Sequence, residues 1–122
     1  MSEKSITKEK SFAFALRIVK LSRYLREIKG EYILSKQLLR SGTAIGALIR
    51  EAKNAESSAD FIHKFSISQK ECDETIYWLE LLYGSEYITK QEYLSISSDA
   101  TELLKMLRST IITVKKKIKP KV

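Results

Sequence analysis

The amino-acid sequence predicts an all-α protein, an antiparallel up-down-up-down four-helix bundle that forms a single domain over residues 1–122. Three observations lead to this prediction. Apolar residues recur at steps of three and four in four long segments, which is the period of a helix with one buried face. The only proline, Pro120, lies near the carboxyl terminus and interrupts none of them. The breaks between segments are short, and short connections make sequential helices antiparallel.

The apolar pattern predicts helices over about residues 8–28, 32–54, 58–83 and 90–118. The first carries Phe14 and Ile18 in a row that ends at Ile28, with Phe12 and Leu16 beside it, and this width predicts the broad apolar face of a bundle helix. Gly30 then turns the chain back.

Helix ends also have signals in the sequence. Ser57 with Asp60, and Thr89 with Glu92, have the spacing of capping boxes at the starts of the third and fourth helices. Gly84 follows the last apolar residue of the third helix. It is therefore expected to end that helix in the left-handed conformation.

The second helix is unusual because small residues surround its middle. Its predicted seam comprises Leu34, Leu38, Ser41, Ile45, Leu48 and Ala52. Gly42 and Gly46 fall inside the helix, where each glycine costs about 1 kcal/mol relative to alanine. Close approach of another helix would offset this cost. Two interpretations stay open: a tight crossing within one bundle, or a crossing where subunits also meet.

Charge is distributed unevenly. The formal net charge is +7, and five lysines between Lys115 and Lys121 supply most of it. Residues 1–29 are basic, whereas residues 54–84 are acidic, so these segments can attract each other within a subunit or between copies. The basic tail, residues 115–122, is either a solvated helix end or a set of phosphate contacts.

Basic residues on the helices could extend such contacts, with a solvated surface as the alternative. The candidate nucleic-acid-binding residues are Arg17, Arg23, Arg40, Arg50, Lys53, Lys115, Lys116, Lys117, Lys119 and Lys121. Trp78 lies off the main seam, where it flanks a wide core, anchors a partner subunit or, as the weakest alternative, stacks on a base. The candidate oligomer-interface residues are Gly42, Gly46, Glu71, Glu74 and Trp78.

Residues suited to catalysis are scarce. His63 is the only histidine, so a site with two histidines cannot form within one chain, and we expect neither a metal nor another cofactor. Cys72, the only cysteine, falls on the predicted core stripe, which favours a buried thiol in a reducing compartment. Glycine-rich phosphate loops and nucleophile elbows are absent from the sequence. A hydrolase or nuclease is therefore the weakest hypothesis.

The sequence was also searched for signals that would direct the protein to a membrane or out of the cell. The amino terminus, MSEKSITKEK, lacks the apolar core of a signal peptide, and the sequence has no apolar run long enough to span a membrane. We expect a cytoplasmic protein.

Several motifs occur in a distinctive order: RSGTAIG at residues 40–46, REA at 50–52, SSADFIHK at 57–64 and YWL at 77–79. In these motifs the chain resembles the bacterial four-helix-bundle family encoded in intervening sequences of 23S rRNA genes, often called the S23 ribosomal protein family. The resemblance covers nearly the whole chain. Ala44 and Leu48 depart from it, because the family commonly has serine and asparagine at these positions.

The resemblance implies a homopentamer and kinship with the accessory protein of diversity-generating retroelements, which binds a reverse transcriptase and nucleic acid. It implies no catalytic residues. The leading hypothesis is a non-enzymatic homo-oligomeric bundle that associates with RNA or a ribonucleoprotein partner, mainly through phosphate contacts. The alternative is a protein-interaction scaffold that does not bind nucleic acid directly.

Overall fold

The computed structural model describes residues 3–118, with side chains from residue 6 onward. Within this range the chain forms four α-helices: α1 (Glu3–Glu27), α2 (Leu34–Ala52), α3 (Ser58–Gly84) and α4 (Lys90–Ile118). Each helix packs on the next, and α4 returns to contact α1. The prediction of an all-α four-helix bundle is confirmed. In this arrangement α1 and α3 occupy diagonal corners.

One apolar core runs through the bundle. Its buried side chains include Phe14 and Ile18 from α1, Leu38 and Ile45 from α2, and Phe65 from α3. Helix α4 contributes a buried row that includes Leu103 and Leu107. Burying a side chain of this size contributes roughly 1.5–3 kcal/mol. Packing of this core therefore holds the helices together.

Buried hydroxyl groups fix how α2 and α3 align. Ser68 donates to the Ile45 carbonyl at 2.9 Å, and Thr75 donates to Ser41 Oγ at 2.9 Å. Each hydroxyl would lose a buried hydrogen bond if one helix slid past the other. Within residues 6–118, every buried side-chain nitrogen and oxygen has a hydrogen-bond partner.

The helix boundaries depart from the sequence prediction mainly in the first half of the chain. Helix α1 begins at Glu3, earlier than the predicted residue 8, and ends at Glu27. Helix α2 begins at Leu34 because the Glu31 carboxylate caps it, accepting bonds from the N–H groups of Ile33, Leu34 and Ser35. Gly30 has φ +66°, so the predicted turn at this glycine is confirmed.

Two predictions about buried faces are wrong for the single chain. Phe12 is 55% exposed and Leu16 is 49% exposed, so the apolar face of α1 is wider than the core that covers it. Ile28 lies beyond the helix and is 70% exposed. In α2, Ile49 is buried and Leu48 is only half-buried, because the core stripe shifts by one residue there.

Ser57 and Thr89 cap the later helices as predicted, but only Thr89 and Glu92 form a reciprocal capping box, because the Asp60 carboxylate accepts from the Glu56 N–H and not from the Ser57 N–H. Asp60 N–H donates to Ser57 Oγ at 3.0 Å, and Thr89 and Glu92 exchange hydrogen bonds at 2.8 and 3.1 Å. The prediction of a left-handed Gly84 is wrong. Glu86 takes that conformation, with φ 69°, because α3 continues through Gly84 before it ends.

Candidate nucleic-acid interface

The amino-terminal ends of α1 and α3 lie at the same end of the bundle as the carboxyl-terminal ends of α2 and α4, which follows from the antiparallel topology. A cleft of about 600 Å³ opens there. Four cationic side chains line it: Lys8 from α1, Arg50 from the last turn of α2, Lys53 just after it, and Lys117 from the last turn of α4. We call this region the basic cleft.

The floor of the basic cleft is apolar. Its side chains are Ile49, Ala52, Phe61, Phe65, Val114 and Ile118. Phe61 is half-buried and stacks on the buried Phe65, with ring centroids 4.6 Å apart and an interplanar angle of 23°. The hydroxyl-bearing residues Ser57 and Ser58, at the start of α3, complete the lining together with Ala55. The cleft therefore combines positive charge at its rim with aromatic surface inside.

The charge of the basic cleft is not neutralised by neighbouring carboxylates. None of the described residues that line it is acidic, and its four cations form no ion pair within residues 6–118. Two of the acidic residues that are next to lining residues in the sequence have other partners. Glu51 pairs with Lys64 at 3.0 Å, and Asp60 accepts from the Glu56 N–H at 3.2 Å. The hydrogen bond to Glu51 raises the pKa of Lys64.

The predicted basic residues fall into two groups. Arg50, Lys53 and Lys117 meet at the basic cleft, and Lys115 and Lys116 are exposed on the same last turn of α4. Lys119 and Lys121 lie outside the described residues. Lys8 was not predicted, because nothing in its local sequence sets it apart. Lys8 joins the basic cleft only because the start of α1 packs beside the ends of α2 and α4.

Arg17 and Arg40 bind carboxylates of the same chain. Arg17 donates to Asp99 at 2.7 Å and also reaches Ser95, which ties α1 to α4. Arg40 pairs with Glu71 at 3.2 Å and with Glu74. The hydrogen bond to Glu74 raises the pKa of the Arg40 guanidinium.

Arg23 is exposed on the outer face of α1, which belongs to a different surface from the basic cleft. The structure therefore does not bring Arg17, Arg23 and Arg40 into one site with Arg50 and Lys53.

The candidate interface residues make contacts inside the chain. Gly42 lies against Ile18 and Gly46 against Ser11, so both glycines serve the α1–α2 crossing. Trp78 donates from its indole nitrogen to Glu74 at 3.1 Å and packs at the edge of the core. Packing within one bundle accounts for these residue types. Their participation in subunit contacts stays a prediction.

The other reactive side chains lie apart from one another. His63 is exposed on α3, and within residues 3–118 no three histidine, cysteine or acidic residues gather in a way that could hold a metal ion. Burial raises the pKa of the Cys72 thiol to about 12, and this thiol donates to the Ala100 carbonyl at 3.3 Å. The thiol is therefore protonated near neutral pH, and it is poorly placed to act as a nucleophile.

The fold and this site define a class: a small four-helix-bundle protein with an unneutralised cationic cleft at one end. The chain belongs to the 23S rRNA-intervening sequence protein family, whose sequence pattern matches residues 3–109. The match ends before the last turns of α4, so Lys115, Lys116 and Lys117 lie beyond the matched segment. Family membership, predicted from the motifs, is confirmed.

A crystal structure of a protein of unknown function from the S23 ribosomal protein family of Bacteroides thetaiotaomicron resembles this one closely. The two chains are 53% identical, with a TM-score of 0.89, and the match covers 90% of this chain and 98% of that chain. No curated protein matches the chain. In the described part, no helix has the combination of length and apolar character that crossing a bilayer requires.

Proposed function

We propose that this protein is a non-enzymatic, homo-oligomeric helical bundle that associates with RNA, or with a ribonucleoprotein partner, through phosphate contacts at the basic cleft. One observation carries the proposal. Lys8, Arg50, Lys53 and Lys117 come from distant parts of the sequence, yet they line one cleft that contains no carboxylate. Like charges held together repel one another, and a polyanion relieves that repulsion.

The chemistry of the cleft favours the RNA backbone over a particular sequence. Lysine and arginine bind phosphate oxygens, which position a nucleic acid without reading its bases. Lys115 and Lys116 continue the positive surface along α4. Arg17 and Arg40 are left out of the proposed contact set because carboxylates of the same chain already bind them.

The test is the salt dependence of RNA binding, measured by fluorescence anisotropy with a labelled single strand. The double variant Arg50→Gln/Lys53→Gln should weaken binding and lower the slope of log affinity against log salt by about 1.4, at about 0.7 for each phosphate contact on a single strand. Lys36→Gln/Lys90→Gln is the matched control, because both lysines are exposed near the opposite end of the bundle. Equal affinities and slopes for the two double variants would contradict the proposal.

Self-association is the second part of the proposal, and it is supported by two complementary surfaces. The outer face of α1 carries exposed Phe12 and Leu16 followed by Lys20 and Arg23. We call it the α1 surface. The outer face of α3 carries exposed Asp73, Tyr77 and Glu80, and we call it the α3 surface.

The α1 and α3 surfaces point in opposite directions because the two helices occupy diagonal corners. Contact between the α1 surface of one copy and the α3 surface of the next is therefore heterologous, and such contacts form closed rings when the rotation allows. Apolar side chains that one chain leaves exposed would be covered in the ring. A ring of five copies is what the family resemblance implies.

A scaffold without direct RNA binding is the alternative, and the exposed apolar side chains of α1 favour it. The family resemblance implies a reverse-transcriptase-like protein as one such partner. On this alternative, the protein does not bind RNA near physiological salt, and a single protein is retained with it after nuclease treatment of a native extract. Recovery of RNA that is lost at high salt would instead support the phosphate-contact proposal.

A further inference from the structure

The second half of α4 carries positive charge and no negative charge. Residues 103–118 contain five basic residues and neither aspartate nor glutamate. Residues three, seven or eight positions apart return to the same side of a helix, and at 1.5 Å per residue such a row can run about 16 Å along this half of α4. We call the exposed basic row on the side of α4 away from α1 the α4 stripe: Lys105, Arg108, Lys115 and Lys116.

Neighbouring carboxylates do not neutralise the α4 stripe. None of its four cations forms an ion pair within residues 6–118. The last acidic residues of α4 before the stripe face α1 instead. Asp99 pairs with Arg17 at 2.7 Å. Glu102 pairs with Lys10 at 3.0 Å. The positive charge of the stripe is therefore available to an anionic partner.

The part of α3 that lies beside the α4 stripe also lacks negative charge. The hydrogen bond from the Cys72 thiol to the Ala100 carbonyl sets the level at which α3 and α4 meet. Because these helices are antiparallel, residues 61–70 lie beside the second half of α4, and none of them is acidic. No phenylalanine, tyrosine or tryptophan is exposed in residues 61–70 or 103–118. The surface is therefore cationic and offers no exposed aromatic ring.

We propose that the α4 stripe binds the phosphate backbone of duplex RNA. This inference rests on the proposed function and deepens it by naming the form of RNA. Sites for single strands combine cations with aromatic side chains on which bases stack, and the stripe has no such side chain. A duplex keeps its bases inside and presents phosphates at fixed positions, which suits a fixed row of cations on a helix. Contacts of this kind position the duplex without reading its sequence.

The assembly proposed above leaves the α4 stripe open, because its contacts use the α1 and α3 surfaces. Lys116 is next to Lys117 in the last turn of α4, so the stripe is continuous with the rim of the basic cleft. Duplex RNA on the stripe would therefore add phosphate contacts to those of the cleft.

The experiment measures the salt dependence of binding by fluorescence anisotropy with two labelled probes, a blunt-ended RNA duplex and an oligouridylate that stays single-stranded. The stripe variant, Lys105→Gln/Arg108→Gln, should lower the slope of log affinity against log salt for the duplex by about 1.8, at about 0.9 for each phosphate contact on a B-form double helix. It should leave oligouridylate binding unchanged. Lys36→Gln/Lys90→Gln is the matched control and should change neither slope. All four positions are exposed, so both variants should melt at the wild-type temperature.

The outcomes separate this inference from the proposed function. A stripe variant that binds the duplex as the wild type does, or that weakens both probes equally, would overturn the inference. The cleft contacts would still stand if Arg50→Gln/Lys53→Gln lowered the oligouridylate slope. If that cleft variant changed neither probe while the stripe variant weakened the duplex, the inference would hold and the cleft contacts would fall. Failure of both probes to bind would overturn both.

Discussion

Ile18 lies directly over Gly42, so that a methyl group on this glycine would stand 2.8 Å from two carbons of the isoleucine side chain. Both residues are buried at the crossing of α1 and α2. The two helices approach each other closely because Gly42 has no side chain. This contact explains why a glycine occupies the middle of a helix, where it weakens the helix itself.

Replacing Gly42 by alanine should therefore destabilise the bundle. The added methyl group forces Ile18 or the backbone to move, which we expect to cost about 1–3 kcal/mol of unfolding free energy. Gly84→Ala is the matched control, since nothing lies within 4 Å of a side chain at that position. It should leave the unfolding free energy unchanged or raise it by up to about 1 kcal/mol. Urea denaturation measures both, and equal effects would show that the crossing tolerates a methyl group.

The carboxylate of Glu31 should contribute to stability as the cap of α2. It accepts three backbone N–H bonds at 2.7–3.1 Å, and the Ser35 hydroxyl donates back to the Glu31 carbonyl at 2.8 Å. Glu31→Ala should lower the unfolding free energy by about 1 kcal/mol, as expected for a lost cap, and Glu31→Gln by less. Glu27→Ala, at an exposed position, should change it by no more than about 0.5 kcal/mol. If both alanine variants melt alike, the cap is unimportant.

Glu86 offers a route to a more stable protein. It has φ 69°, and the bonds from Glu86 N–H to the Tyr83 carbonyl and from Tyr87 N–H to the Leu82 carbonyl form a Schellman motif. A non-glycine residue in this conformation costs roughly 1–2 kcal/mol, so Glu86→Gly should raise the unfolding free energy by about 0.5–1 kcal/mol. Ser85→Gly, where φ is −93°, should bring no gain. Thermal unfolding would refute this prediction if Glu86→Gly melted below the wild type.

The Cys72 thiol should make stability depend on alkaline pH. Burial raises its pKa from 9.0 to about 12, so the unfolded chain releases the thiol proton at lower pH than the folded chain does. The stabilising effect of this difference is complete below pH 9 and is lost as the pH rises towards 12. The loss amounts to about 1 kcal/mol per pH unit within that window. The unfolding free energy of Cys72→Ala should fall less steeply with pH above pH 9 than that of the wild type. If the two plots of unfolding free energy against pH run parallel, titration of the buried thiol does not affect stability.

Assembly can be tested by exchanging charges between the α1 and α3 surfaces. Arg23→Glu or Glu80→Arg alone should weaken association, because each places like charges opposite one another. Arg23→Glu/Glu80→Arg together should restore it, since every copy carries both changes. Light scattering coupled to gel filtration measures the mass. Wild-type mass for both single variants would show that the copies meet elsewhere.

The sequence predicted the architecture well because helical periodicity and capping are local properties. Leu38, Ile45 and Ala52 fall on the face that the structure buries, and the Ser57 and Thr89 caps lie where their spacing placed them. The exposed Phe12 and Leu16 were misplaced because periodicity measures how wide an apolar face is. It does not tell how much of that face a single chain covers.

The candidate site was predictable only in part. Arg50, Lys53 and Lys117 stood out as basic residues, but their convergence with Lys8 depends on which helix ends meet. Arg17 and Arg40 look equally available in the sequence. Their partners, Asp99 and Glu71, lie on other helices, so only packing shows that their charges are neutralised within the chain.

Photocrosslinking maps the RNA contact most directly, with single-stranded RNA that carries 4-thiouridine and mass spectrometry of the crosslinked peptides. The proposed function predicts crosslinks in the peptides that line the basic cleft, around Lys8, residues 50–61 and residues 114–118, and their loss at high salt. Crosslinks confined to the α1–α4 surface around Ser95 and Asp99, or no crosslinks at low salt, would contradict it.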